Sequence, residues 1–242
     1  TDLQRIRTTA RREGNDYLMR EVLGGGSGGR YYADGEDTIH VVPDSRNLPT
    51  EFTESRFPFI VERLGLAVDS GGAGRYRGGL GYEKHIRMLK DAHFMSIADR
   101  SILACWGVKG GKAGMPFQVT IDVGGPDERD VDALADAEPV RAGQVIRIRT
   151  TGGGGWGDPL DRPYAEVERD LRWGKVSFDG ARAAYGVVAS GTRDQPSIDE
   201  QASDALRAEL RAARTGEEPF FDRGPGYAAL SGGATAPEVD WL

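Results

Sequence analysis

Two stretches decide how this chain folds: Asp69-Ser70-Gly71-Gly72-Ala73-Gly74-Arg75-Tyr76-Arg77-Gly78-Gly79-Leu80-Gly81 and Thr151-Gly152-Gly153-Gly154-Gly155-Trp156-Gly157-Asp158-Pro159. The first carries six glycines in thirteen residues. Without Cβ atoms such a backbone takes up positive φ and approaches other main chain closely. The second has four glycines in succession, which reads as a turn where no side chain fits. Working outward, residues 24–157 hold 25 of the chain's 35 glycines. With 12 prolines and no Gly-x-y period, the chain is not collagen-like. Short runs with strand character separate the glycine clusters, at 38–42, 57–66, 82–89, 93–98, 117–123 and 144–150. The alternation Ile146-Arg147-Ile148-Arg149 suits a half-buried strand. This is a β-rich region with long glycine-bearing connections, not a βαβ repeat.

The flanks read as helical. Residues 1–23 predict one or two short helices, the first capped by Asp2 with Leu3, Ile6 and Ala10 on one face, interrupted at Gly14-Asn15 and resumed by Tyr17, Leu18 and Val22. Asp161 followed by Pro163 signals a helix with Val167 and Leu171 on its stripe, ended by Gly174. A second helix starts near Asp179 as its cap. A third is expected from the capping box Ser197-Ile198-Asp199-Glu200, with Ile198, Ala202, Ala205, Leu206, Leu210 and Ala213 as its stripe. Residues 215–242 scatter Phe220, Phe221, Tyr227 and Trp241 among Gly, Pro and acids, which predicts a tail that is disordered or lies along a partner. The expected class is α+β: a β-rich glycine-loop core at 24–160, short N-terminal helices at 1–23, a C-terminal helical segment at 161–214 and an extended tail at 215–242.

Composition removes several functions. Net charge is −7 in 242 residues, and the pI is near 5.1. Nucleic-acid binding needs a basic stripe to neutralise phosphates, so no nucleic-acid partner is expected. No run approaches 18 apolar residues, so no membrane span is expected. The polar, basic start lacks the apolar run of a signal peptide. A single cysteine, Cys105, rules out an internal disulfide framework and a multi-cysteine zinc site. A cytoplasmic location fits these features.

Most catalytic motifs fail on inspection. Gly25-Gly26-Ser27-Gly28-Gly29 spells a nucleophile elbow, but the elbow needs a strand before it and a helix after it, and neither is read here. Gly107-Val108-Lys109-Gly110-Gly111-Lys112-Ala113 is too short for a phosphate loop, and Ala113 stands where the Mg²⁺-binding hydroxyl belongs. His40, His85 and His93 lack zinc-site spacing. Asp34, Asp37 and His40 form the one local cluster to weigh as metal ligands, against the commoner state of solvated loop acids. Arg75 and Arg77, two apart, point to one side of an extended chain and suit a carboxylate or phosphate clamp or, alternatively, a salt bridge between loops.

Taken together these pieces resemble the hydantoinase B/5-oxoprolinase family, which includes acetone and acetophenone carboxylase subunits. The matching residues run in the family's order: Gly24 to Arg30 with Asp34-Gly35, Ser45 to Glu51, Pro58, Val61-Glu62-Arg63, Asp69 to Gly81, Asp99-Arg100, Trp106-Gly107, Gly110-Gly111, Thr151 to Leu160, and Tyr185 to Val188. They span roughly 22–190. The resemblance implies an ATP-dependent assembly. A hydantoinase A-type ATPase subunit phosphorylates a carbonyl or enol oxygen, and the B-type body completes either the opening of a cyclic amide or the carboxylation of a ketone. Only the C-terminal part of the B type is matched, so a separate polypeptide of the N-terminal B type is the second implied partner. ATP with Mg²⁺ and a divalent metal are implied for the complex, with no cofactor bound by this chain. The motif residues nominate Arg75, Arg77, Asp99 and Arg100 as catalytic candidates and Arg30 and Asn47 for substrate binding, while the local cluster Asp34, Asp37 and His40 supplies the metal candidates. Loop pinning is the expected role of most of these polar residues. The alternative is a non-catalytic module that bridges subunits of such a complex.

Overall fold

The computed structural model describes residues 10–13, 16–40, 47–216 and 219–232. Its centre is an antiparallel five-stranded sheet of order β3-β4-β10-β7-β8, built from β3 (Phe59–Leu66), β4 (Tyr82–Met88), β10 (Val145–Arg149), β7 (Gln118–Ile121) and β8 (Arg129–Val131). Alternation sets its two faces, as period-2 patterning requires. Ile146 and Ile148 enter a core with Phe57, Phe59, Met88, Val119, Ile121 and Val140. On the opposite face Glu83 meets the guanidinium of Arg63 at 3.1 Å and the His85 ring at 2.9 Å. An antiparallel ladder of β5 (Ala92–Ile97) and β9 (Leu134–Val140) partly covers the core side. Helix α1 (Thr50–Arg56) leads into β3.

Beyond the ends of β4, β10 and β7 the sheet becomes a bundle of glycine rods. The segment 151–157, which continues β10, bonds to its neighbours with a period of three. Thr151 and Gly154 accept from the amides of Gly26 and Gly29 at 2.9 and 2.8 Å. Gly153 and Trp156 donate to Gly79 and Tyr76, each at 2.9 Å. Gly152 and Gly155 donate to Met115 and Lys112 at 3.0 and 2.9 Å. A strand offers two sides. A chain that turns once in three residues, as polyproline II does, offers three. The rod is flanked by 76–79 and 112–115, the segments leading into β4 and β7, so the bundle repeats the neighbour order of the sheet.

Four successive glycines serve close approach, not a turn, because none of Gly152 to Gly155 has a positive φ. Cβ atoms on them would land on the carbonyl oxygens of Ser70, Ser27, Trp106 and Ala73 in turn, well inside the 3.0 Å that real Cβ atoms respect. The glycines at 71–81 likewise lack positive φ. At 71–81 the expectation of close approach holds and that of positive φ does not; at 152–155 close approach replaces the expected turn.

The C-terminal segment packs on the bundle through α2 (Tyr164–Arg172) and α3 (Phe178–Tyr185), whose Val167, Leu171, Ala181 and Tyr185 form a second core with Ala73. Gly174 follows α2 at φ +63°. Ser177, not Asp179, caps α3, accepting from the Gly180 amide at 2.9 Å. A ladder of β11 (Val188–Gly191) and β12 (Pro196–Asp199) comes next. Ser197 is taken into that ladder, so Asp199 caps α4 (Glu200–Ala212) in place of the expected capping box. The buried residues of α4 are Ser203 and Arg207. The helix docks by hydrogen bonds from Arg207 to the carbonyls of Tyr185 and Arg162 at 3.0 and 2.7 Å, not by an apolar stripe alone.

Two further expectations are corrected. The N-terminal segment, where described, is a hairpin of β1 (Ala10–Glu13) and β2 (Asp16–Met19), with Glu13 opposite Asp16 around Gly14-Asn15. A two-residue Gly/Asn link favours a hairpin over a break between helices. The cap and face read for the first helix at Asp2, Leu3 and Ile6 lie outside the described residues. The tail folds back on its own chain. Its β13 (Phe221–Asp222) pairs with β6 (Gly107–Val108), and α5 (Gly224–Ser231) follows. Trp241 lies outside the described residues.

The bundle predicts a sharp asymmetry among glycines. Gly154→Ala should lower stability by about 1–3 kcal/mol or more through overpacking against backbone that cannot yield. Gly65→Ala, where a Cβ meets nothing within 4 Å, should be neutral or stabilising by about 0.4–1 kcal/mol. Urea unfolding of the two variants distinguishes them; equal effects would contradict the packing described.

Candidate functional site

The rim of the bundle carries a buried ionic lattice. Arg77 leaves the glycine rod into the interior and is 2% exposed; Arg162 and Asp170 are each 1% exposed. Both Nη atoms of Arg162 bond the two oxygens of Asp34 at 2.7 Å, and Nη2 also reaches Asp170 Oδ2 at 2.8 Å. Arg77 Nε lies 3.5 Å from the same Asp170 oxygen, and its Nη1 lies 3.4 Å from Asp37 Oδ1. Lys175 closes the lattice on Asp37 Oδ2 at 2.7 Å. Main chain is held as well: Asp34 accepts from the Arg77 amide at 2.8 Å, and Asp37 from the Leu80 amide at 2.9 Å.

These contacts fix the charge states. Burial pushes the Asp34 pKa up, but the Arg162 hydrogen bonds and charge, aided by Arg77, more than reverse that and hold it below the usual carboxylate range. Burial likewise opposes ionisation of Asp37, and Lys175 and the Leu80 amide again prevail. Burial lowers the Arg162 pKa and its two carboxylates raise it, with a net upward result. Asp34, Asp37 and Arg162 are therefore charged at neutral pH and serve as one another's counter-ions with the cations beside them.

The candidate residues divide accordingly. Arg75 and Arg77 do not form one clamp: Arg75 is exposed, bonds the Asp161 carbonyl at 3.2 Å and lies over the Tyr76 ring, while Arg77 is withdrawn into the lattice. Asp99 and Arg100 are exposed on the edge of a wide cleft beside β5. Arg30 is exposed at the turn that bridges back to Ala33, and Asn47 is half-buried. Asp34, Asp37 and His40 are not brought together as ligands, since both carboxylates are engaged by cations. Among the described residues no group of three His, Cys, Asp or Glu is placed to hold a metal, so the residues present do not fit the divalent metal implied for the complex. The Ser27 hydroxyl accepts the Glu36 amide at 2.7 Å. In the 107–114 loop, the amides of Val108, Lys109, Gly111, Lys112, Ala113 and Gly114 all donate within the chain, which leaves no amide cradle for phosphate. Burial raises the Cys105 pKa, partly offset by Arg100, so the thiol is not activated.

Sequence reading missed Arg162, Asp170, Lys175 and Arg207. Asp170 left one signal: it shares the helix face of Val167, an acid inside an apolar stripe, which requires a buried cation. Asp158, within the second glycine stretch, also pins rather than reacts, with Arg214 donating to both its oxygens at 2.6 and 2.8 Å.

The family profile for hydantoinase B/oxoprolinase matches residues 3–159. The chain belongs to this family. It is similar to the B-type component of a putative D-/L-hydantoinase of a Pseudomonas species, 29% identical over 210 residues that cover 85% of this chain and 35% of the relative. It is similar to the beta component of the caprolactamase of Pseudomonas jessenii, 38% identical over 166 residues, 65% of this chain and 27% of the relative. The crystal structure of that ATP-dependent caprolactamase superposes with a TM-score of 0.67 at 30% identity, covering 80% of this chain and 35% of the other. The alpha component of the acetone carboxylase of Xanthobacter autotrophicus is 30% identical over 232 residues, 80% of this chain and 30% of the relative. This hydantoinase B-family chain thus spans about a third of the length of the curated relatives it matches. It is homologous to subunits of ATP-dependent carboxylase and of hydantoinase and caprolactamase complexes. Among its described residues no helix is long and apolar enough to cross a membrane.

Removing either side of the lattice should be costly. Arg162→Met takes from buried Asp170 and half-buried Asp34 their nearest cation, leaving only Arg77 at 3.5 Å and Arg169 at 3.6 Å, and should destabilise the fold by up to about 3–5 kcal/mol. Asp34→Asn isolates the pH dependence. A carboxyl with a lowered folded pKa contributes stability fully above its unfolded value, near 3.8, and loses it as pH falls through the folded value. The gap between wild type and Asp34→Asn should therefore be constant near neutrality and shrink below about pH 4. Urea titrations at stepped pH measure it, and a gap that widened on acidification would refute the assignment.

Proposed function

We propose that this chain is the glycine-bundle third of a hydantoinase B-type body in an ATP-dependent enzyme that opens cyclic amides. The observation that carries the reading is the ionic lattice: the motif residues Asp34, Asp37 and Arg77 pin glycine rods to helices, which is scaffold work inside a larger catalytic body. Similarity to components of a hydantoinase and of a caprolactamase supports a cyclic amide as substrate class. An unstrained amide resists water, and phosphorylation of its oxygen by an A-type ATPase partner lowers that barrier. The partners are this ATPase and a polypeptide carrying the remaining B-type part, in a hetero-oligomer, and ATP-Mg²⁺ and the divalent metal act there. Carboxylation of a ketone is the second reading, favoured by the 30% identity to the alpha component of acetone carboxylase across most of this chain.

The test is the assembly purified through a tag on this chain, assayed with ATP on hydantoin, 5-oxoproline and caprolactam, and separately on acetone with bicarbonate. ATP-dependent ring opening by the assembly, and none by the isolated chain, is expected. ATP-dependent bicarbonate fixation in its place selects the carboxylase reading. Turnover by the isolated chain would overturn both.

A further inference from the structure

We infer that the cleft bordered by the five-stranded sheet, the β5–β9 ladder and residues 17–25 seats the part of the hydantoinase B-type body that this chain does not span, with Met95 and Ile97 as exposed apolar contacts lining it and Leu134, the cross-strand partner of Ile97, beside them. The inference rests on the B-type assembly proposed above. The cleft encloses about 1860 Å³, beyond the roughly 300–1,000 Å³ typical of small-molecule sites. Its floor is the core itself: Phe57, Phe59, Met88, Ile146 and Ile148 belong to the main hydrophobic cluster and also line the open cleft. These side chains are buried within this chain, so they give the opening a firm apolar floor.

The wall points the same way. Ile97 and Leu134 are cross-strand partners, yet they are 79% and 74% exposed, and Met95 on the face of Ile97 is half exposed. A two-stranded ladder is marginal by itself. This one spends its covered residues on the core and leaves Met95, Ile97 and Leu134 uncovered. The cleft edge is of mixed sign, with Lys90 and Arg100 beside Asp91, Asp99 and Asp136, which suits a protein surface and not a polyanion. The occupant is set by length: the matched region is about a third of these relatives' length, so a B-type body contains a further mass of chain that must meet this one. The cleft offers it a wide opening with an exposed apolar edge.

The test uses the full chain, tagged and purified from its source, with co-purifying polypeptides identified by peptide mapping. Ile97→Asp combined with Leu134→Asp should reduce the co-purified B-type polypeptide tenfold or more, with the melting temperature unchanged because both residues are exposed. Leu230→Asp, another exposed leucine on α5, should leave it unchanged. Hydrogen exchange on the wild-type assembly gives a reading independent of variant folding: amides of β5, β9 and residues 57–59 should be slower than in the isolated chain. A B-type polypeptide retained by the double variant, or protection confined elsewhere, overturns the docking site while leaving the assembly standing. A self-dimer of this chain that the double variant dissolves also overturns it, giving the face to a second copy. Absence of any B-type polypeptide from the wild-type preparation removes the assembly reading and this inference with it.

Discussion

The structure depends on one steric fact: the rod 152–155 has main chain where every other protein segment has side chains. Each missing Cβ is replaced by a carbonyl of a different neighbour. The result is a bundle in which segments far apart in sequence touch backbone to backbone and share hydrogen bonds of 2.8–3.0 Å. Such a core gains little from apolar burial, and each glycine gives up more chain entropy than any other residue. Stability has to be supplied from its edges. The sheet supplies it on one side, because the rods are direct extensions of β4, β10 and β7 in the same neighbour order. The second core supplies it on the other, where Ala73 meets the helices.

The ionic lattice follows from that arrangement. A glycine rod offers only amides and carbonyls as handles, and the lattice grips them: Asp34 and Asp37 take amides of the 77–80 segment, and Arg162 takes the carbonyl of Arg75. Lysine at 162 could not do this, since the planar fork serves Asp34 with two parallel bonds and Asp170 with a third contact. Burial makes the pairs costly to assemble and costlier to break, which suits a joint that must not slip.

Much of this was legible in the sequence. The strands at 59–66, 82–88, 92–97, 118–121 and 145–149 were visible as apolar alternation between glycine clusters, and both glycine stretches stood out by composition, the first as a place of close backbone approach and the second, wrongly, as a turn. What failed did so for identifiable reasons. At 10–19 the apolar spacing fits a short helix as well as a hairpin, and Gly14-Asn15 was the deciding signal. The strand at 134–140 was hidden by Pro139 and by acids at 136 and 138, tolerated because that face of the ladder is not buried. The helix at 50–56 lacks any side-chain cap. The period-three bonding of the rods has no sequence signature beyond glycine itself. In the lattice, Asp34, Asp37 and Arg77 were found through motif matches, whereas Arg162 and Lys175 look like ordinary surface cations until the fold buries them.

The same reasoning bears on where chemistry can reside. A side chain that acts as base or nucleophile must be partly free to exchange protons or meet a substrate. Here the motif carboxylates Asp34, Asp37 and Asp158 each hold a cation and a main-chain amide, and the Ser27 hydroxyl is committed to the Glu36 amide. The exposed charged motif residues are of both signs: Arg30, Arg63, Arg75 and Arg100 beside Glu51, Glu62, Asp69 and Asp99. Exposure alone therefore singles out neither acids nor cations for chemistry. What the structure does separate is Asp34, Asp37 and Asp158, whose carboxylates are spent on holding cations and main chain, and a group so committed serves architecture before it serves proton transfer.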